Sequence, residues 1–220
     1  MFSEFSLKVF SSIYDSYPST YFVGGAVRNF LLGKRFSDID ISTSATPQQV
    51  INILQKNGIK FSDAYKNMGV VIVKKDRSKI EITSFRQEHY TKSRFPSVKF
   101  ITSAKIDSRR RDFTINALYF NPITKEILDF HDGIADLLQC KLKFIGNPVK
   151  KIAEDPLRII RAYRFQLQYK LQIDLETERA LNRNKVLLNS VNSERINKEI
   201  NAVKNKNLRN KLKKVIHSNT

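Results

Sequence analysis

The chain has 220 residues, enough for one sizeable core and a smaller appendage, one or two domains in all. Its formal net charge of +18 predicts a polyanionic partner, because neutralising phosphates releases counterions and supplies sequence-independent affinity. A single cysteine, Cys140, excludes an intrachain disulfide and a cysteine metal cluster, and the longest apolar runs fall far short of the roughly 20 residues a membrane span needs.

The excess charge is uneven: residues 141–220 hold 19 basic and 7 acidic side chains, against 20 and 14 over residues 1–140. A Lys/Asn-rich but merely soluble surface is the plainer reading, and a nucleic acid partner is the one the charge favours. The start of the chain lacks the basic stretch and apolar block of a signal peptide. A reducing, cytoplasmic compartment is therefore expected, with a mitochondrial address left open and no membrane partner.

Apolar spacing from Phe2 to Tyr14 predicts a short helix. Tyr21-Phe-Val followed by Gly24-Gly25 reads as strand, glycine turn and helix start, a place where backbone N–H groups and a positive dipole end can face a phosphate. Ser37-Asp-Ile-Asp-Ile-Ser42 then reads as a strand. Asp38 and Asp40, two apart, point to one face and can converge on a divalent cation while Ile39 and Ile41 turn to the core. Singly, Asp-Ile-Asp-Ile is an ordinary half-buried strand and Gly-Gly an ordinary turn. In this order and this close, they point to nucleotidyl transfer.

Thr46-Pro47 opens a helix to about Asn57, and 60–62, 69–74 and 79–84 read as strands. This irregular alternation implies a mixed sheet. Glu81, on an apolar alternating strand, can complete the cation site or accept a proton from an attacking hydroxyl, although a strand Glu is more often simply solvated. The polar stretch 86–97 has neither strand nor helix period and is expected to be a mobile loop. Arg109-Arg-Arg-Asp112 sets guanidinium groups beside a carboxylate. Arginine suits bidentate phosphate contact, and Asp112 and Asn116 can bond ribose hydroxyls; a solvated basic turn is an equal alternative. Asn121-Pro122 begins a turn into a strand at 126–130.

From Asp132 onward the pattern is helical. The stretch 154–168 reads as the clearest helix, with Glu154, Asp155 and Arg158 on one face. They form either an intrahelical salt bridge or an acceptor and donor fork able to select a nucleobase edge. Asn192-Ser193 can cap a helix running towards Val203, and the final residues are expected to fray.

Phe22-Val-Gly-Gly-Ala-Val-Arg28, Asp38-Ile-Asp40, Arg110-Arg-Asp-Phe-Thr-Ile-Asn-Ala117 and Glu154-Asp-Pro-Leu-Arg158, with Arg161 and Arg164-Phe165, resemble the bacterial-type (class II) tRNA nucleotidyltransferase and poly(A) polymerase family. The resemblance implies an α+β fold: a polymerase-beta-like nucleotidyltransferase head, a mixed sheet with flanking helices over 1–138, followed by an all-α neck over 139–220. It implies template-independent addition of C and A to the 3′ end of tRNA from CTP and ATP by two-metal catalysis. Asp38 and Asp40 would bind two Mg²⁺ and Glu81 would assist the 3′ hydroxyl. Gly24, Gly25 and Arg28 would hold the triphosphate, and Arg111, Asp112 and Asn116 would meet sugar and phosphates. Glu154, Asp155 and Arg158 would template the base, with Arg161 and Arg164 as further nucleotide or primer contacts. Residues 86–96 resemble the family's flexible loop, and 193–199 the segment closing the neck.

Asn29 stands where the family usually has Asp, and Lys92-Ser93 where its loop usually carries an acidic-glycine pair. Family members usually continue into body and tail helices, so a basic neck, a partner protein or a second copy is expected to complete the grip on tRNA. A C-only or A-only tRNA end-adding enzyme and a poly(A) polymerase share these motifs. An inactive RNA-binding remnant is the alternative from another class, disfavoured by its intact Asp38, Asp40 and Glu81.

Overall fold

Ser3 caps the first helix through its Oγ, which accepts the Ser6 amide at 3.2 Å, and α1 (Glu4–Tyr14) buries Val9, Phe10 and Ile13. The computed structural model describes residues 2–76, 78–90 and 96–217. The chain divides into two compact units, Met1–Arg111 with Asn116–Gly133, and Asp112–Ile115 with Ile134–Thr220.

In the first unit β1 (Thr20–Val23) runs through Gly24 into α2 (Gly25–Leu31), and β2 (Ile39–Thr43) follows. The helix that Thr46-Pro47 predicts is α3 (Pro47–Lys56), and Thr46 and Gln49 close a reciprocal capping box at its start. Then come β3 (Phe61–Ser62), β4 (Val70–Lys75), β5 (Ser78–Ser84), β6 (Arg86–His89), β7 (Ser97–Phe100), α4 (Ala104–Ser108), β8 (Leu118–Phe120) and β9 (Ile127–Asp129). Seven strands form one sheet in the order β3-β4-β5-β2-β1-β8-β9. Only the β2–β5 pairing in it is parallel, so the sheet is mixed as the irregular alternation predicts. Ile41, Ile80 and Ile82 are buried on its core face, and Phe2 stacks on Phe22 with ring centroids 4.2 Å apart.

The expected loop at 86–97 is ordered at both ends. Arg86–His89 pairs antiparallel with Ser97–Phe100 as a two-stranded ribbon, while Lys92 and Ser93 lie outside the described residues. This ribbon is held by polar anchors rather than by an apolar face: the Arg86 side chain donates to the Met68 carbonyl at 2.7 Å and to Glu88 at 2.8 Å. At its base Gly69 adopts φ +80°, and a Cβ there would stand 2.8 Å from Phe100 Cε1. Only glycine fits that contact.

The second unit contains α5 (Gly133–Leu138, whose first residue lies in the first unit), β10 (Lys141–Leu142), α6 (Pro148–Glu154), α7 (Leu157–Tyr169), β11 (Gln172–Ile173), α8 (Leu175–Asn184), α9 (Ser193–Asn201) and α10 (Lys206–His217). Its core gathers Phe113, Phe144, Ile159, Ile160, Phe165, Leu181 and Leu212. Two expectations change here. The helix expected from Glu154 starts at Leu157, because Pro156 forces its predecessor out of the helical region and Asp155 is extended at φ −153°, ψ 101°. Residues expected to fray form α10, whose Leu212 and Ile216 are buried in that core. The cap at Asn192 is as expected, its side chain accepting the Glu194 amide at 2.7 Å. Among the described residues no helix is long and apolar enough to cross a membrane.

Candidate active site

The parallel β2–β5 register sets Asp40 directly beside Glu81. Asp38 comes one residue before β2 and is exposed. Lys79, two residues before Glu81 and so on the same face, holds Glu81 Oε1 in an ion pair. The Asp40 carboxyl is pushed up to about 6 by burial first and then by the neighbouring Glu81 and Asp38 charges, against the pull of Arg111 and Lys79. Such like-charge crowding is what a divalent cation relieves. Among the described residues no three His, Cys, Asp or Glu side chains close into a metal cage. An open pair of carboxylates fits Mg²⁺ all the same, since that ion is usually held by one or two carboxylates with water and substrate phosphates completing its shell.

Gly24 stands at the mouth of this acidic face. Its φ is +70°, and a Cβ there would lie 3.2 Å from Asp40 Oδ2 and 3.7 Å from Arg111 Nη1. Arg111 reaches the same face: its Nη2 donates to Ser42 Oγ at 2.9 Å and its Nε to the Tyr119 hydroxyl at 3.0 Å. Burial alone would lower the pKa of Arg111, but Tyr119 and Asp107 more than offset it and keep the guanidinium charged. Arg28, on α2, is buried and donates to Asn116 Oδ1, with Nη2 3.5 Å from the position a Cβ on Gly25 would take.

Asp112 and Asn116, adjacent in the sequence reading, make their contacts in different units. In the second unit Asp112 Oδ2 accepts from Arg161 Nε at 2.7 Å and pairs with its Nη2 at 2.6 Å. Glu199 on α9 joins the cluster, 3.2 Å from Arg161 Nη1 and 2.9 Å from Arg164 Nε. Although Glu154 closes α6 and Arg158 lies in α7, they meet at 2.7 Å, and Arg158 Nη1 also donates to the Lys151 carbonyl at 2.8 Å. Asp155 turns away from that pair to Arg195, at 2.9 Å. Glu154 and Arg158 thus form a salt bridge, the plainer of the two readings of this segment, across a break between two helices rather than along one helix face. Arg195 and Glu199 fall in the 193–199 segment that resembles the one closing the neck, but nothing in a single sequence pairs them with Asp155, Arg161 and Arg164. Asp107, Tyr119 and Ser42 have no such signal, because sheet register and the packing of α4 bring them to Arg111, whereas Lys79 stands only two residues from Glu81 and its spacing could have found it.

A family model described as the poly A polymerase head domain matches residues 20–143. The CCA-adding enzyme of Bacillus pumilus is 39% identical over 192 residues, covering 86% of this chain and 47% of that protein. That of Enterococcus faecalis is 40% identical over 178 residues, covering 80% and 43%. Among solved structures, the Bacillus stearothermophilus CCA-adding enzyme in complex with CTP superposes with a TM-score of 0.79 at 33% identity, over 89% of this chain and 46% of that one. The Thermotoga maritima CCA-adding enzyme complexed with tRNA gives a TM-score of 0.76 at 25% identity, over 98% and 52%. The chain spans about half the length of the curated relatives it matches. With its head domain matched over more than half its length and its glycine turn, carboxylate strand and Arg-Asp segment inside that match, the chain belongs to the poly(A) polymerase head-domain family.

Proposed function

We propose that this chain carries out template-independent nucleotidyl transfer, adding C, A or both to the 3′ end of tRNA from CTP and ATP. The observation that carries the reading is the register setting Asp40 beside Glu81 on one side and beside Val23, the residue before the Gly24 turn, on the other. Its likeness to CCA-adding enzymes solved with CTP and with tRNA supports the choice of substrates. Asp38 and Asp40 would hold magnesium, which when bound supplies Lewis-acid activation of the RNA 3′ hydroxyl and neutralises charge on the departing pyrophosphate.

The remaining roles belong to the chain's own side chains. Gly24 lets a triphosphate come close to the backbone where any Cβ would intrude on Asp40. Arg111 offers a charged fork to the phosphates, and Arg28 braces the turn through Asn116. Glu81, tethered at one oxygen by Lys79, is the carboxylate assigned to receive the proton of the attacking hydroxyl. Glu154 and Arg158 pair an acceptor with donors, the complement of a pyrimidine or purine edge. Asp112, Arg161, Glu199 and Arg164 hold the surrounding helices and offer further sugar or primer contacts. Soluble, basic residues 141–220 supply electrostatic grip on RNA.

Purified protein offered tRNA ending before the CCA, after the first C and after the second C, with each labelled triphosphate, tests the reading on a sequencing gel. Products lengthened by C or A support it, and their length names the programme. No extension of any of the three ends would overturn it.

A further inference from the structure

The polar network behind Arg111 does more than fill the core. Asp107 is fully buried in α4, and its two oxygens face different parts of the first unit. Oδ1 accepts the Arg86 amide at 3.0 Å and Arg110 Nε at 2.8 Å. Oδ2 accepts the Tyr119 hydroxyl at 2.6 Å, and that hydroxyl accepts from Arg111 Nε at 3.0 Å. Tyr119 stands in the same cross-strand row as the carboxylates: Glu81 beside Asp40, Asp40 beside Val23, Val23 beside Tyr119. Burial would raise the Asp107 carboxyl, but Arg110, Arg111 and Tyr119 bring it below the usual range, so it stays charged.

We propose that Asp107 and Tyr119 are positioning residues that aim Arg111 at the triphosphate, and that Asp107 ties that aim to the base of the β6–β7 ribbon. The inference rests on the nucleotide-binding reading of Arg111 given above. A free arginine loses rotamer entropy on binding a phosphate, and a guanidinium already fixed loses less. The Tyr119 hydroxyl uses its single proton towards Asp107, so its lone pair is directed at Arg111 Nε; turning Arg111 away leaves that buried oxygen without its donor. The ribbon enters through Arg86, whose amide bonds Asp107 while its side chain bonds the Met68 carbonyl and Glu88. Displacing β6 must break the bond to Asp107 Oδ1 or drag Asp107 with it. Phosphate grip and ribbon position are thus linked through one carboxylate.

The test uses Tyr119→Phe, which keeps the buried ring and removes the hydroxyl, with CTP and ATP binding in magnesium buffer read by titration calorimetry. Affinity for both nucleotides is expected to fall by the same factor, on the order of tenfold, the worth of one hydrogen bond to a charged group. In an Arg111→Lys background, Tyr119→Phe should add nothing further, because the group it positions is gone. Asp107→Ala, which leaves no acceptor for the Arg86 amide, is expected to weaken both nucleotides and to remove hydrogen-exchange protection from that amide together. Wild-type affinity in Tyr119→Phe, or penalties that multiply in the double variant, would overturn the positioning role. Lost Arg86 protection with unchanged affinity in Asp107→Ala would overturn the link to the ribbon. A wild-type chain that binds neither CTP nor ATP would overturn the nucleotide reading itself.

Discussion

Gly24 shows how one side chain's absence can shape a site. Any other residue there would adopt φ +70° under strain of about 1–2 kcal/mol and press its Cβ against Asp40 Oδ2. Gly24→Ala is therefore expected to lower the thermal midpoint by a few degrees and to reduce nucleotide transfer by a much larger factor; a variant that transfers at the wild-type rate would contradict the close approach assigned to the turn. Arg158 carries a different kind of prediction. Held by Glu154 and the Lys151 carbonyl, it is assigned to base choice, so Arg158→Ala should relax selection among the four triphosphates more than it slows transfer. Competition with all four nucleotides measures this, and unchanged selectivity would remove Arg158 from that role. The Gly24 turn was legible in the sequence because a glycine pair between strand and helix signals its positive φ, whereas Asp38, read as sharing a strand face with Asp40, lies one residue before β2, so spacing alone does not fix that pair.

Elements gave a more mixed return. The helix start at Thr46-Pro47 and the cap at Asn192 are local and were readable; Glu81 was a candidate for the cation site, but its register directly beside Asp40 depends on a parallel pairing between strands separated by α3, β3 and β4. The β6–β7 ribbon escaped because β6 carries only polar and charged side chains, β7 offers just two apolar residues, and the pair is anchored through Asp107 and Met68 elsewhere in the chain. Asp155 misled because Pro156, acceptable in a helix's first turn, also pushes the residue before it out of the helical region, so Asp155 ends α6 instead of sharing a face with Arg158. The ribbon's anchors also predict a pH response. Burial raises the Asp107 and Glu88 carboxyls, but the surrounding arginines overcome it and set both below their ordinary values of 3.8 and 4.5. Depressed folded values mean stability that is present above those ordinary values and lost as pH falls through the folded ones. Denaturant melts should show the first unit weakening below about pH 4, with a shallower decline in Asp107→Asn; an equal acid slope in that variant would contradict the assignment. In the second unit, Leu212 of α10 is fully buried, and Leu212→Ala is expected to cost about 3 kcal/mol by chemical denaturation. A loss near zero would mean that α10 contributes little to that core.

At the scale of the whole molecule, the excess positive charge gathers in residues 141–220, where 19 basic side chains face 7 acidic ones. If this field grips RNA, the logarithm of affinity should fall linearly and steeply with the logarithm of salt concentration, and a flat profile would contradict it. The fold as a head with a mixed sheet and a following helical unit was legible from motif order, and the head match over residues 20–143 places the family. Which nucleotides are added was not legible, because every motif named is shared by the C-adding, A-adding and poly(A)-forming readings. The central claim is that Asp40, beside Glu81 and under the Gly24 turn, serves transfer itself rather than RNA binding or folding. The most direct measurement compares wild type with Asp40→Ala for label transfer from CTP and ATP to truncated tRNA, with RNA binding followed by filter retention on the same samples. Transfer by the wild type that is abolished in the variant, with RNA binding retained, is the predicted result; transfer that persists in Asp40→Ala would contradict the account.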